Sequence, residues 1–177
     1  MDMLDFEEGA LYFDEPLGAE AKRCLDNAAE RYGQDSAEQL LMRAYFFEPE
    51  HPMVLVALYR YLYYQHRLEE TLMIADRVLK VFARRLEIPE DWQELNEMQI
   101  GNGVMVSMTM IRFYMLALKG AGFLELRLGH YESAITRLQK VVELDSNDRL
   151  GARALIDVAR EALGNEAEPG LATHNLN

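Results

Sequence analysis

Residues 117–148 read ALKGAGFLELRLGHYESAITRLQKVVELDSND. Apolar residues return every three or four positions on both sides of Gly129, which predicts two helices joined by a tight turn. The first of these helices has a small residue, Gly122, near its middle, and the second presents Ala134 to the first. Because small residues let two helix backbones approach closely, the stretch predicts an antiparallel helix hairpin.

An earlier stretch of the chain repeats this pattern. Residues 37–49 read AEQLLMRAYFFEP, and their small and apolar residues have the same spacing as those that follow residue 133. The matching positions are Ala37, Leu41, Ala44 and Pro49 in one copy, Thr71, Ala75 and Val78 in a second, and Ala134, Leu138, Val141 and Ser146 in a third. Spacing of this kind is typical of proteins built from helix–turn–helix repeats.

These residues resemble the tetratricopeptide repeat (TPR) family. The repeat units would be residues 18–51, 52–85 and 115–148, with 86–114 inserted between the second and third and with a capping helix at 149–163. The resemblance implies a short right-handed solenoid of antiparallel helix hairpins, in which the first helix of each pair lines a concave groove. The chain departs from the family at Leu25 and Tyr59, where a small residue is usual.

Helical periodicity extends over nearly the whole chain, and no alternation of period two indicates a strand. We therefore predict an all-α fold in one domain over residues 1–164. The predicted helices lie near 3–13, 18–32, 35–47, 52–64, 68–87, 90–98 (one short turn), 103–128, 131–144 and 149–163. The Gly-Asn-Gly at 101–103 is predicted to be a hinge that ends a loop-like insertion. Residues 165–177 have little to bury and are predicted to be disordered.

Charge and cysteine content exclude several classes of function. The 177 residues carry a formal net charge of −12, which opposes binding to nucleic acid or to an anionic membrane. One cysteine excludes an internal disulfide and favours a reducing compartment. The acidic N-terminus lacks the basic region of a signal peptide, and charges interrupt the longest apolar stretch. We therefore expect a cytoplasmic protein.

Few residues suggest chemistry. The histidines do not lie at metal-ligand spacing from one another, and Cys24 is predicted to be a buried small apolar residue. No glycine-rich phosphate loop is found. Paired carboxylates lie in acidic runs that are typical of solvated surface. We expect no catalytic residues, no metal and no cofactor, so the chain is predicted not to be an enzyme.

An aromatic and basic stretch, LYRYLYYQHR at residues 58–67, suggests a binding surface. On a helix, one face of this region packs in the core and the other faces the predicted groove. The predicted groove residues are Val56, Arg60, Tyr63, Tyr64, Arg112, Leu116, Lys119, Phe123 and Arg127. Aromatic and arginine side chains often anchor protein interfaces, so we predict that the groove holds a helix or an extended segment of another protein. The alternative is that the rings fill the interior of a compact bundle.

Two further surfaces could contact a partner. Trp92 lies in an acidic insertion and is predicted to be a second contact, unless it folds back onto the helix at 68–86. The methionine-rich helix that begins near residue 103 is either buried or a surface for pairing with a second copy. Self-association as a homodimer is therefore the alternative to binding a different protein.

A narrower resemblance rests on three stretches: VLVALYRYLYYQHRLEETL at 54–72, RRLEIPEDWQELN at 84–96, and RFYMLALKGAGFLELRLG at 112–129. They resemble small TPR proteins encoded among bacterial nitrogen-fixation genes. This resemblance implies a non-catalytic accessory or assembly factor that docks on nitrogenase or on its maturation machinery.

Overall fold

The computed structural model describes residues 15–33 and 35–167, and within these ranges the chain is all-α, without a strand. The helices are α1 (Ala19–Glu30), α2 (Asp35–Phe47), α3 (Pro52–Tyr64), α4 (Leu68–Arg85), α5 (Glu97–Val106), α6 (Met108–Arg127), α7 (Tyr131–Leu144) and α8 (Ala152–Ala167). A short 3-10 turn, Trp92–Glu94, precedes α5.

Local signals explain where these helices begin and end. His51 caps α3 by accepting a hydrogen bond from the Met53 N–H. Pro52 occupies the first helical position, where a backbone N–H would have no partner within the helix, so its missing N–H costs nothing. The helices α3, α4 and α6 each end in the same type of turn, in which one residue has a left-handed backbone conformation. These residues are His66, Glu87 and Gly129, and the following N–H bonds back to a carbonyl in the last helical turn. The shared turn reverses the chain after each of these helices.

Consecutive helices pack in pairs, α1 with α2, α3 with α4, and α6 with α7, and neighbouring pairs touch through α2–α3 and α4–α6. The main apolar cluster lies among α3, α4, α6, α7 and α8. Two smaller clusters hold α1 and α2 against α3. The close approach predicted at Gly122 is confirmed, since a Cβ there would lie 2.8 Å from Cγ of Leu138.

The insertion differs from its prediction. The predicted helix at 103–128 is two helices, because Ser107 adopts an extended backbone and its hydroxyl accepts a hydrogen bond from the Met110 N–H to cap α6. The predicted hinge at 101–103 lies inside α5, where Gly103 packs against Ile111. A Cβ on Gly103 would lie 2.6 Å from Ile111 Cδ1, so glycine here permits close packing.

The last helix differs slightly from its predicted bounds. The last helix begins at Ala152 rather than at 149, because the Asp148 carboxylate accepts hydrogen bonds from the Ala152 and Arg153 N–H groups. It ends at Ala167, so residues 165–167 of the predicted tail are helical. The rest of that tail and the predicted helix at 3–13 lie outside the described residues. Among the described residues, no helix has the length and apolarity needed to cross a membrane.

Candidate functional site

An open cleft of about 630 Å³ lies between α1 and α3. Its walls are mainly apolar, with an arginine, an aspartate and two tyrosines among them. The lining residues are Leu25, Asp26, Ala28, Ala29 and Tyr32 from α1, Leu41 from α2, and Met53, Val56, Ala57, Arg60 and Tyr64 from α3. The cleft is large enough for two or three side chains of another molecule.

The α3 wall follows from helical spacing. Met53, Val56, Arg60 and Tyr64 recur at intervals of three and four, so they share one face of the helix. Val56 is buried, Arg60 is half-buried, and Met53 and Tyr64 are exposed. This face was predicted from the sequence, and three of the nine predicted groove residues lie on it: Val56, Arg60 and Tyr64.

The α1 wall was missed by the sequence interpretation. Leu25 and Tyr32 lie on the cleft side of α1, with the small residues Ala28 and Ala29 between them. These alanines leave the space that forms the cleft. Asp26 lies at the edge, where its carboxylate is 2.6 Å from Lys22 Nζ. The three- and four-residue spacing of this wall was visible, but nothing in the sequence showed that it faces α3.

The tyrosines of 58–67 divide between the interior and the surface. Tyr59 and Tyr61 are buried, Tyr63 is half-buried and Tyr64 is exposed. The Tyr63 ring stacks on Tyr59 at 6.4 Å and meets the Tyr64 ring edge-on at 5.7 Å. Tyr63 is therefore a link between core and surface, and it is not among the lining residues of the cleft.

An aromatic corner is formed where Tyr32 approaches α3. The rings of Tyr32 and Tyr61 meet edge-on at 5.9 Å. Burial raises the pKa of Tyr32, the nearby Tyr64 and Tyr61 raise it further, and Arg60 lowers it. The cleft can therefore offer aromatic faces, phenolic hydroxyl groups and one guanidinium group to a ligand.

The α6 residues of the predicted groove do not line this cleft. Leu116 and Lys119 are buried, with Lys119 only 8% exposed, because the middle of α6 packs against α4 and α7. Phe123 is half-buried beneath the Arg127 guanidinium, at 5.9 Å from the ring centroid. Arg112 is exposed. Arg112, Lys119 and Arg127 therefore do not join Arg60 in lining this cleft.

Trp92 is packed rather than freely exposed. It is half-buried against the main core, and the Arg137 guanidinium lies 5.0 Å from its ring centroid. It thus folds back onto α7, whereas the expected alternative placed it on the 68–86 helix. Arg137 also pairs with Asp76 of α4 at 2.6 Å and with Glu125 of α6 at 2.9 Å.

Burial shifts the titration of groups in this region. It raises the pKa of Glu125, although Arg137 opposes that rise by favouring the carboxylate. Burial also raises the pKa of the Tyr114 phenol. Both shifts follow from desolvation in the main core, away from the cleft.

The described residues include no group of three or more His, Cys, Asp or Glu side chains that could hold a metal ion. Cys24 is buried beside Ala21, Ala44 and Val54, which confirms its expected environment. What the cleft can do chemically is bind: it can bury apolar side chains and satisfy a polar group at Arg60 or at the tyrosine hydroxyls.

No family model and no solved structure matches the chain. It is 47% identical over 161 residues to a protein of Azotobacter chroococcum mcd 1, described as an uncharacterized 19.8 kDa protein in the nifW 5′ region. The similar region covers 91% of this chain and 90% of that protein.

Proposed function

Because the chain belongs to the family of the uncharacterized 19.8 kDa protein in the nifW 5′ region, we propose that it serves nitrogen fixation as a non-catalytic protein-binding module. In this proposal it is an accessory or assembly factor in the cytoplasm. It docks on a larger complex, and nitrogenase or its maturation machinery is the candidate partner. Nucleic acid and membrane are not its targets, since a net charge of −12 opposes both.

A TPR-like solenoid is part of this proposal. Its support is the repeated hairpin: α1–α2, α3–α4 and α6–α7 each pair with a short connection, and α8 packs on α7 as a cap would. The second helix of each pair carries a fully buried small residue at the matching position, namely Ala37, Thr71 or Ala134. Stacked hairpins of this kind present the first helices along one side, where a partner can bind.

The observation that carries the function is the open cleft between α1 and α3. Its apolar floor at Val56 and Leu41 lies beside Arg60, Tyr32 and Tyr64, which are side-chain types that dominate binding energy in protein interfaces. A partner's helix or extended segment would bury apolar side chains between the two helices. The arginine and the hydroxyl groups would fix its position.

Arg60→Ala combined with Tyr64→Ala tests this function. We expect the double variant to lose co-purification of its partner from nitrogen-fixing cells, because it removes both anchors of the α3 wall. Its free energy of unfolding should stay within about 1–2 kcal/mol of wild type, since Arg60 is half-buried and Tyr64 is exposed. The matched control is Arg149→Ala with Tyr131→Ala, away from the cleft. Retention of the same partner by the double variant would contradict the proposal.

Self-association remains the second candidate function, favoured by exposed methionines at the α5–α6 junction. Size-exclusion chromatography with light scattering separates the two candidates. A monomer at micromolar concentration agrees with an accessory factor, whereas a stable homodimer that Met105→Ser abolishes would favour self-association.

A further inference from the structure

Four exposed apolar residues lie along α5 and at the start of α6: Met98, Met105, Val106 and Met108. Here they are called the methionine apex. Met105 is 86% exposed and Met98 is 70% exposed. These two residues are seven apart and share a face of α5, and Val106 and Met108 follow on either side of Ser107. Gly101 and Asn102, which lie between Met98 and Met105 on α5, are also exposed.

The apex stands on a firmly held base. Asn96 and Gln99 form a reciprocal capping box at the start of α5. The Leu95 side chain is buried, and its carbonyl accepts a hydrogen bond from Lys140 Nζ of α7 at 3.0 Å. Gly103 packs against Ile111 on the inner side of the helix. A firmly held helix therefore presents the methionines, and the contacts that fix this helix are made by other residues.

Acidic residues lie close to the apex in the sequence. The insertion carries Glu87, Glu90, Asp91, Glu94 and Glu97, and no Lys or Arg occurs from Glu87 to Ile111. Glu94 and Glu97 are exposed and lie shortly before Met98 in the sequence, and no ion pair joins either of them to another described residue. Here they are called the acidic rim. An apolar surface with a rim of one sign of charge selects partners of the opposite sign.

We propose that the methionine apex and its acidic rim dock a basic amphipathic helix of a partner protein. The apolar face of that helix lies on the methionines, whose flexible thioethers adapt to different side chains. Its lysines or arginines meet Glu94 and Glu97. A second copy of this chain fits less well, because symmetric pairing would bring two acidic rims together in a dimer of doubled negative charge. This surface is separate from the α1–α3 cleft, so it stands or falls independently of partner binding at the cleft.

The first test uses the full chain and a fluorescent synthetic peptide of about 18 Leu and Lys residues, in which leucines recur every three or four positions so that the peptide forms an amphipathic helix. Fluorescence anisotropy should show saturable binding, and Met105→Ser with Met108→Ser should weaken it about tenfold or more. Met42→Ser with Met73→Ser is the matched control, since both residues are exposed elsewhere, and it should bind within about twofold of wild type. Equal weakening in both pairs, or no binding at about 100 µM protein, would overturn the proposal.

The second test examines the acidic rim. Glu94→Lys with Glu97→Lys should abolish binding of the basic helix, whereas Glu132→Lys with Glu161→Lys changes the net charge equally and should leave binding nearly unchanged. Equal loss in both pairs would mean attraction by overall charge and would contradict a defined site. The cleft variant Arg60→Ala with Tyr64→Ala should bind the peptide like wild type. Dimerisation that depends on Met105 would replace this proposal with self-association.

Discussion

One arginine joins four parts of the molecule. Arg137 of α7 is 2.6 Å from Asp76 of α4 and 2.9 Å from Glu125 of α6, and it covers the ring of Trp92 in the insertion. Its side chain is 8% exposed and that of Glu125 is 9% exposed, so their charges compensate each other inside the protein. Removing one partner of such a pair leaves an uncompensated buried charge. The free-energy cost of that charge is much larger than the net stabilisation that the intact pair provides.

Arg137→Met should therefore destabilise the fold by about 3–5 kcal/mol near pH 8. The loss should shrink as the pH falls toward 5. Without the guanidinium, burial holds the pKa of Glu125 above that of the unfolded chain, so the folded variant takes up a proton first and gains relative stability on acidification. Asp76 and His130 also face Glu125: the first raises its pKa, and the second lowers it.

Urea unfolding followed by circular dichroism at both pH values measures this effect, because it does not depend on the Trp92 signal. Arg127→Met is the control, since that arginine is exposed, and it should change stability by no more than about 0.5 kcal/mol. An equal loss for Arg137→Met at the two pH values would show that Glu125 is not the group left uncompensated.

The burial of individual residues could be predicted from the sequence where local spacing decides which face of a helix they occupy. Cys24 is buried as expected, and the cleft face of α3 follows from intervals of three and four. Contacts between distant parts of the chain could not be predicted in this way. Arg137 and Trp92 are far apart in sequence, and their contact depends on how the insertion lies on α7. In the same way, the burial of Lys119 depends on helices that cover α6 from several sides.

At the scale of elements, strong start and stop signals gave correct helix bounds. The observed α2, α3 and α7 agree with the predicted 35–47, 52–64 and 131–144. The break at Ser107 was missed because apolar residues on both sides continue the helical period, although serine is a common helix cap. Glycine was misleading for a related reason: its freedom favours hinges, but at Gly103 its small size allows helix packing instead.

Two helical glycines should respond oppositely to alanine. Gly101 of α5 has open space where a Cβ would lie, so Gly101→Ala should stabilise the protein by about 0.5–1 kcal/mol through reduced backbone freedom. A Cβ on Gly122 of α6 would lie 2.8 Å from Leu138 Cγ, so Gly122→Ala should destabilise by about 1–3 kcal/mol because α7 must move. Thermal unfolding of the two variants checks both signs. Stabilisation by Gly122→Ala would mean that α6 and α7 are not in close contact there.

At the scale of the whole molecule, the apolar interior is uneven. The main cluster joins α3, α4, α6, α7 and α8, whereas α1 and α2 are held against α3 by two smaller clusters. The cleft lies in this lightly held part, between α1 and α3. A partner that binds there would therefore contact the helix pair with the smaller share of buried apolar surface.

We expect α1 and α2 to open at a lower free energy than α6 and α7, because stacked helix pairs are stabilised mainly by their neighbours. Hydrogen–deuterium exchange with mass spectrometry should show faster exchange in α1 and α2.

Leu41→Ala and Leu138→Ala each remove a buried leucine and should cost about 2–5 kcal/mol locally. The first should accelerate exchange in α1 and α2 and leave α7 protected, whereas the second should accelerate exchange from α6 to α8. Val158→Ala, at an exposed position of α8, is the control and should alter neither pattern. If Leu41→Ala accelerated exchange equally in every helix, the molecule would open as one unit, and the cleft would be as rigid as the main core.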